Sequence, residues 1–352
     1  MTLTEVSYYG RKLLPFVFIF FLIFIALFYI VRITFLYSQK TKTTPLFIKP
    51  TFGKIAAPVI KNATASGQFN FTLDTIEGVP VTATPSANVF FLPEQATRFG
   101  YREKIYLMAK TIGFDTENVK HKLVDKVATF TDDRQKLTID ITNFNFSYEY
   151  KYATDAAVFV NARIPERTAI EESATGTLKA LGRYPEELSK GKTNIVYFAY
   201  NALSNTLGVT TKPNEANVVE VDYYRPDIDA FPQALSVVSP KYFTSQNYVI
   251  LVFNDSGAKI LKAQVRFFEK SPDQVGVYPL KTGDEVWNNL KAGKGSIIST
   301  SLSQGSVTIK KMFLAYFDPD EYQQYLQPVY VFLGDNDFIA YVQALSSLYL
   351  GD

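Results

Sequence analysis

Residues 137–150 read LTIDITNFNFSYEY, two runs of strict alternation with a break between them. Leu137, Ile139 and Ile141 alternate with Thr138, Asp140 and Thr142, and Phe146, Tyr148 and Tyr150 alternate with Ser147, Glu149 and Lys151. Successive side chains of a strand point to opposite faces, so a period of two describes strands apolar on one face and wet on the other. A sheet with one wet face is the antiparallel kind. Val307, Ile309, Lys311, Phe313 and Ala315 repeat the spacing. Turn signals separate such runs: TDDRQ at 131–135, NDSG at 254–257 and GDND at 334–337.

Three segments depart from this rhythm. Ile105, Met108, Ala109 and Ile112 fall at helical spacing and end at Gly113. Ile170, Ala174, Leu178 and Leu181 mark a second helix, opened near Pro165 and closed by Gly182. Thr282-Gly-Asp-Glu285 has the form of a capping box, with Val286 and Leu290 as the buried stripe behind it. Each helix is followed by two or more strands. The pattern predicts an α+β fold, a repeated helix-plus-antiparallel-sheet unit with helices on one face of twisted sheets.

The N-terminal part reads differently. LLPFVFIFFLIFIALFYIV, residues 13–31, contains no charge and no side-chain amide. As a helix it would measure about 28 Å, close to the roughly 30 Å hydrocarbon core of a bilayer. Arg11 and Lys12 flank one end and Arg32 the other. A cleaved signal peptide has a shorter apolar region and a small-residue cleavage site, whereas RITFLYSQKTKT follows here. The expectation is a retained signal anchor in the bilayer, with the N-terminus cytoplasmic and the rest extracytoplasmic. Residues 38–68 mix Lys, Thr, Pro and Ala without period and read as a stalk. Lys40, Lys42, Lys49 and Lys54 in it could touch anionic lipid or wall polymer, and a solvated stalk explains them equally.

Composition narrows the chemistry. With no Cys there is no disulfide, thiol nucleophile or Cys-based metal site, and with His121 alone a multi-histidine metal site is excluded. Net charge +2 gives no field that argues for nucleic acid. Ser189-Lys-Gly-Lys192, Ser256-Gly-Ala-Lys259, Ser245-Gln-Asn247 and Lys281-Thr-Gly283 match the short motifs of serine penicillin-interacting hydrolases. Their contexts are wrong for that chemistry, because the nucleophile should open a buried helix and Lys-Thr-Gly should lie on a strand. The acidic turns at Asp318, Asp320 and Glu321 and at Asp335, Asn336 and Asp337 read as solvated, and would hold a cation only if they converged. His121 reads as exposed or at a strand edge. Asn62, Asn70, Asn145 and Asn254 lie in glycosylation sequons, which matter only in a eukaryotic secretory pathway. The expectation is therefore no catalytic residue, no cofactor and no metal.

A resemblance enters near the C-terminus. Glu285-Val-Trp287 with Leu290 and Gly293, the run MFLAYF at 312–317, LQPVYVFLG at 326–334 and FIAYVQA at 338–344 occur in one order. Upstream, VVEVDYYRPDIDAFPQAL at 218–235 and YVILVFNDSGAKI at 248–260 fit the same pattern. Together they resemble bacterial PepSY-like domains, most of all the extracytoplasmic YycH/YycI-type proteins. That resemblance implies one transmembrane helix bearing an extracytoplasmic domain that modulates a membrane sensor histidine kinase. It does not cover residues 43–150. The chain would then divide into a cytoplasmic N-terminus (1–12), a transmembrane anchor (13–37) and a stalk (38–68). A first α+β domain (69–163) and a second, PepSY/YycI-like one (164–352) would follow. The expected function is a binding or regulatory module for another envelope protein, with an envelope structural or adhesive role, or a serine penicillin-interacting hydrolase, as the alternatives. Trp287, Tyr316, Tyr330, Phe338 and Tyr341 are the candidate partner-binding surface; core packing is the other reading of such rings.

Overall fold

The computed structural model describes residues 3–40, 48–62, 68–229 and 234–351. Two units are distinguished, Met1–Phe47 and Ile48–Asp352. The first holds helix α1 (Leu3–Lys40), 38 residues long. Its side chains are described at 13–14 and 18–34, where Phe, Ile and Leu predominate and nearly all are exposed. Among the described residues no helix is long and apolar enough to cross a membrane. The span expected at 13–31 includes side chains 15–17, which lie outside them, as do those of the expected cytoplasmic segment 1–12.

The second unit opens with β1 (Phe69–Leu73), β2 (Ser86–Phe91) and α2 (Tyr101–Thr111). A meander follows: β3 (Lys122–Val124), β4 (Val127–Thr131), β5 (Gln135–Asp140) and β6 (Phe146–Tyr150). Helices α3 (Arg167–Ala180) and α4 (Glu186–Ser189) precede β7 (Thr193–Asn201), β8 (Thr206–Thr210), β9 (Val218–Tyr223) and β10 (Val237–Val238). Next come β11 (Tyr248–Asn254), β12 (Gly257–Val265) and β13 (Val275–Pro279). Helix α5 (Gly283–Lys291) leads into β14 (Ser296–Ser299), β15 (Gly305–Phe317), β16 (Tyr325–Leu326), β17 (Pro328–Gly334) and β18 (Ile339–Gln343).

The α+β class holds, and the alternating runs are strands. Nine of them form one antiparallel sheet in the order β3-β4-β5-β6-β12-β11-β9-β7-β8. Its apolar face buries Phe130, Leu137, Tyr148, Ala263, Val249 and Val221 at 0–2% exposure, against Ile105, Met108 and Ala109 of α2 and Ile170, Ala174 and Leu178 of α3. A second sheet runs β1-β15-β17-β18-β14, with β10 also on β15, and a third runs β13-β2-β16. The second sheet is mixed: β1 and β10 pair in parallel with successive parts of the same edge of β15. Alternation within β15 carries no information about these partners, of which β1 lies more than two hundred residues away. Helix α5 has the expected capping box, Thr282 accepting from the Glu285 amide and Glu285 accepting from the Thr282 amide.

Two expected boundaries are corrected. The division at 163/164 is absent, because β6 pairs with β12 from Phe146↔Val265 to Glu149↔Lys262, joining strands from both sides in one sheet. The helix that suggested the boundary covers this sheet instead of opening a new domain. Likewise, the described part of the stalk beyond residue 47 is docked, not free. Lys49 bridges Val277, Ile55 is 2% exposed and bridges Leu350, and Gln327 donates to the Ala56 carbonyl. Isolated bridges need no periodic sequence, so the segment reads as irregular although it is held. Residues 41–47 and 63–67 of the expected stalk lie outside the described residues.

Candidate functional site

Strand register places two rows of side chains on the sheet face opposite α2 and α3. One row is Thr129, Thr138, Ser147, Gln264, Tyr248, Asp222 and Asn194. The next is Thr131, Lys136, Glu149, Lys262, Ile250, Glu220 and Val196. Thr138, Ser147 and Glu149 among them are polar members of the alternation that opened the sequence, and Ile250 and Val196 are the apolar members of the second row. Neither α2 nor α3 covers these rows: the face is open over β4, β5 and β6, where Thr131, Lys136 and Glu149 are exposed, and closed over β9 and β11, where Val218, Asp222, Ile250 and Val252 are buried. At about 4.8 Å per strand the nine strands span roughly 38 Å.

Two segments bound this open face. At one end Tyr152 and Phe159 lie against Tyr200, the Phe159 and Tyr200 rings stacked with centroids 3.7 Å apart. Tyr200 lies on the open side because it follows Asn194 by an even number of residues along β7. At the other end stand the loop 239–247 and the turn 318–322. Two clefts flank that turn, of about 260 and 200 Å³. Arg266, Asp320 and Glu321 line both. Both are smaller than the roughly 300–1,000 Å³ typical of small-molecule pockets. Such a surface suits contact with a macromolecule along its length better than enclosure of a metabolite. Lys262 and Glu149 form an ion pair at 2.8 Å in the middle of the face, and Lys61 pairs with Glu321 at 2.7 Å on its rim.

A buried ionic network fixes the rim. The Arg225 side chain is fully buried, donates from Nε to Asp318 Oδ1 at 2.9 Å and from Nη2 to the Phe268 carbonyl at 2.7 Å, and faces Glu187 Oε2 at 3.2 Å. Its guanidinium lies 4.0 Å from the centroid of the Phe267 ring. Gln246 Nε2 donates to the other Asp318 oxygen at 2.7 Å, and Lys270 pairs with Glu187. Burial pushes the Asp318 carboxyl above its usual range even with Arg225 beside it. Arg183 makes a second link: it donates to Asn145 Oδ1 and the Phe267 carbonyl and pairs with Glu269 at 2.6 Å. Asp318 follows β15 and Arg225 follows β9, so the network ties the second sheet to the nine-stranded one. Gly191 shares this tight region; a Cβ there would sit 1.7 Å from the Tyr224 carbonyl oxygen.

The residues expected to face a partner lie elsewhere. Tyr316, Tyr330 and Phe338 are 0% exposed and Tyr341 is 1% exposed. Trp287 is partly buried against Phe71 and Phe332. The four buried rings form core: Tyr316, Tyr330 and Tyr341 lie on β15, β17 and β18, inner strands of the second sheet, and Phe338 immediately precedes β18. The tyrosine hydroxyls remain satisfied: Tyr316 donates to the Asn88 carbonyl and Tyr341 to that of Ser239.

The serine motifs are scattered. Ser189 ends the short α4 and donates to the Glu186 carbonyl; Ser256 sits in the β11–β12 turn; Ser245 is buried and donates to the Tyr223 carbonyl. Lys281 donates to Gln343 beside the start of α5. Among the described residues no hydrogen bond joins one motif to another. The acidic turns do not converge either. Asp335 accepts from the Thr308 amide, whereas Asp318 lies beyond the far end of β15, roughly 33 Å along the strand. Asp318 is no solvated turn residue but a buried ion-pair partner. His121 precedes β3, its Nδ1 3.2 Å from the Tyr106 hydroxyl, and burial lowers its pKa.

Sequence reading passed over Arg225, Glu220 and Asp222. The signal was present in VVEVDYYRP, where charges at 220 and 222 keep the period of two inside an otherwise apolar strand. Against known proteins, no family model matches the chain, and no curated protein does. A solved structure of an uncharacterized protein from Eubacterium rectale ATCC 33656 is similar at 14% identity, over 82% of this chain and 90% of that one, with a TM-score of 0.31.

Proposed function

We propose that this chain is a membrane-anchored, extracytoplasmic binding module that regulates another envelope protein and does not turn over a substrate. The observation that carries the reading is the polar sheet face left uncovered by α2 and α3, bounded by held segments and offering only small clefts. A half-buried to exposed array of Thr, Ser, Gln, Lys and Glu on the sheet presents hydrogen-bonding groups at fixed spacing, which suits a protein partner or a polymer. Dispersal of the serine and lysine motifs argues against acyl-enzyme chemistry through them. The resemblance of residues 218–345 to PepSY-like, YycH/YycI-type proteins adds a sensor histidine kinase as the partner class. On the same reading the helix-and-strand groups begun by α2, α3 and α5 are related units.

Anchoring rests on the apolar run 13–31 within α1. The full chain is expected in the membrane fraction and resistant to alkaline extraction. A chain lacking 13–31 but still exported should be released and lose regulation of its partner. Full regulation by the released form would overturn the anchored half of the proposal. Binding to wall polymer with no protein partner would favour the adhesive role instead.

A further inference from the structure

The loop 239–247 crosses from β10 in the second sheet to β11 in the nine-stranded one. It lies over the end of the open face, its start held by Tyr341 donating to the Ser239 carbonyl and its last residues by Gln246 donating to Asp318 and the Arg266 amide donating to Asn247 Oδ1; the links through residues 243–245 are fewer. The Ser245 amide donates to Asp222 Oδ1 at 3.0 Å, Ser245 Oγ donates to the Tyr223 carbonyl, and the Tyr224 hydroxyl donates to the Phe243 carbonyl at 2.8 Å. Within the loop Tyr242 has φ 63°, a left-handed conformation disfavoured for a side chain of that size. Beneath it Asp222 is 0% exposed, and its Oδ2 has no donor among the described residues. Glu220, two residues earlier on the same strand face, is the neighbouring carboxyl. A proton on Glu220 supplies the donor that Oδ2 lacks.

We propose that Glu220 and Asp222 form a proton-controlled latch for the loop 239–247, closed while the two carboxyls share one proton and released when both ionise. The elements packed against the pair contribute to its field: Lys241 from the loop, Tyr224 just after β9, Tyr248 from β11, Lys262 from β12 and uncharged Asn194 from β7. Lys262 is engaged by Glu149 at 2.8 Å, and Lys241 makes no salt bridge among the described residues. Burial and then the Asp222 charge push Glu220 up to about 7, and burial also raises Asp222. The sign follows from linkage. In the released state both carboxyls titrate near the ordinary value of about 4, while in the closed state the last proton leaves near 7. The ratio of released to closed loop therefore rises about tenfold per pH unit between roughly 4.5 and 7, then levels off. The latch is independent of what the open face binds.

Hydrogen exchange of segment 239–247 in the full chain, reconstituted in lipid nanodiscs and corrected for the intrinsic pH dependence of exchange, reads this ratio. Protection is expected to fall about tenfold per pH unit from pH 5 to 7, while β11 changes little. In Glu220→Gln the amide N–H donates to Asp222 Oδ2 at every pH, so the slope should vanish and the loop remain protected. Asp222→Asn keeps an acceptor for the Ser245 amide and should flatten the slope as well. An unchanged slope in both variants, or a flat profile in the parent chain, would overturn the latch.

Discussion

Replacing Arg225 by alanine is expected to destabilise the chain by about 3–5 kcal/mol, the range for removing one partner of a buried pair. Arg225 and Asp318 are 0% and 4% exposed in their side chains, and Glu187 is 21% exposed, so no bulk water replaces the lost guanidinium. Asp318 would then be buried beside Glu187 with Gln246 as its remaining side-chain donor. Its pKa, already raised by burial, should rise further, so the deficit should grow as pH rises through the parent chain's raised Asp318 pKa and shrink below it. The pair Arg225→Met with Asp318→Leu should recover much of the loss, since apolar packing often equals a buried ion pair in stability. Chemical denaturation of the full chain in detergent at pH 4 and pH 7.5 measures both effects. A loss under 1 kcal/mol at neutral pH would contradict the assignment of this network as the tie between the sheets.

Phe338→Ala is expected to cost about 3–5 kcal/mol, as for other buried aromatics truncated to alanine. Phe338 is 0% exposed, with ring centroids 5.9 Å from Phe69 and 5.3 Å from Phe71, and Phe71 continues to Trp287 at 6.4 Å. These rings hold β1 at the edge of the second sheet and α5 against it. Besides the fall in Tm, exchange at residues 69–73 should quicken before the rest of the sheet opens. Phe338→Leu should cost less because it leaves a smaller cavity. Were this cluster a partner surface, the alanine variant would bind poorly yet melt like the parent chain.

Local pattern exposed the α+β class, the three helices and the turn positions, because alternation and capping are properties of neighbouring residues. Long-range pairing was not legible. Nothing in FNFTL at 69–73 states that it runs parallel to β15, and nothing near residue 164 reveals that β6 and β12 are neighbours. The aromatics at 316, 330, 338 and 341 show why residue type alone misleads: Tyr and Phe suit an interface and a core equally, and only strand position within the sheet separates them. Asp318 was hidden for the same reason, since its partner Arg225 lies 93 residues away, just after a strand of another sheet. The open face, by contrast, was written in the sequence. Thr138, Ser147 and Glu149 are the wet half of the alternation, and what was missing was the knowledge that all nine strands share that face.

Site-specific photocrosslinking in cells reads that face directly. A benzophenone amino acid placed at Lys136, Glu149 or Gln264 of the membrane-bound chain should give adducts with one envelope protein. The same group at Leu107 or Glu172, exposed on the helix-covered side, should not. Adducts from the helix side alone, or none from the open face of the full-length chain, would contradict its role as the binding surface.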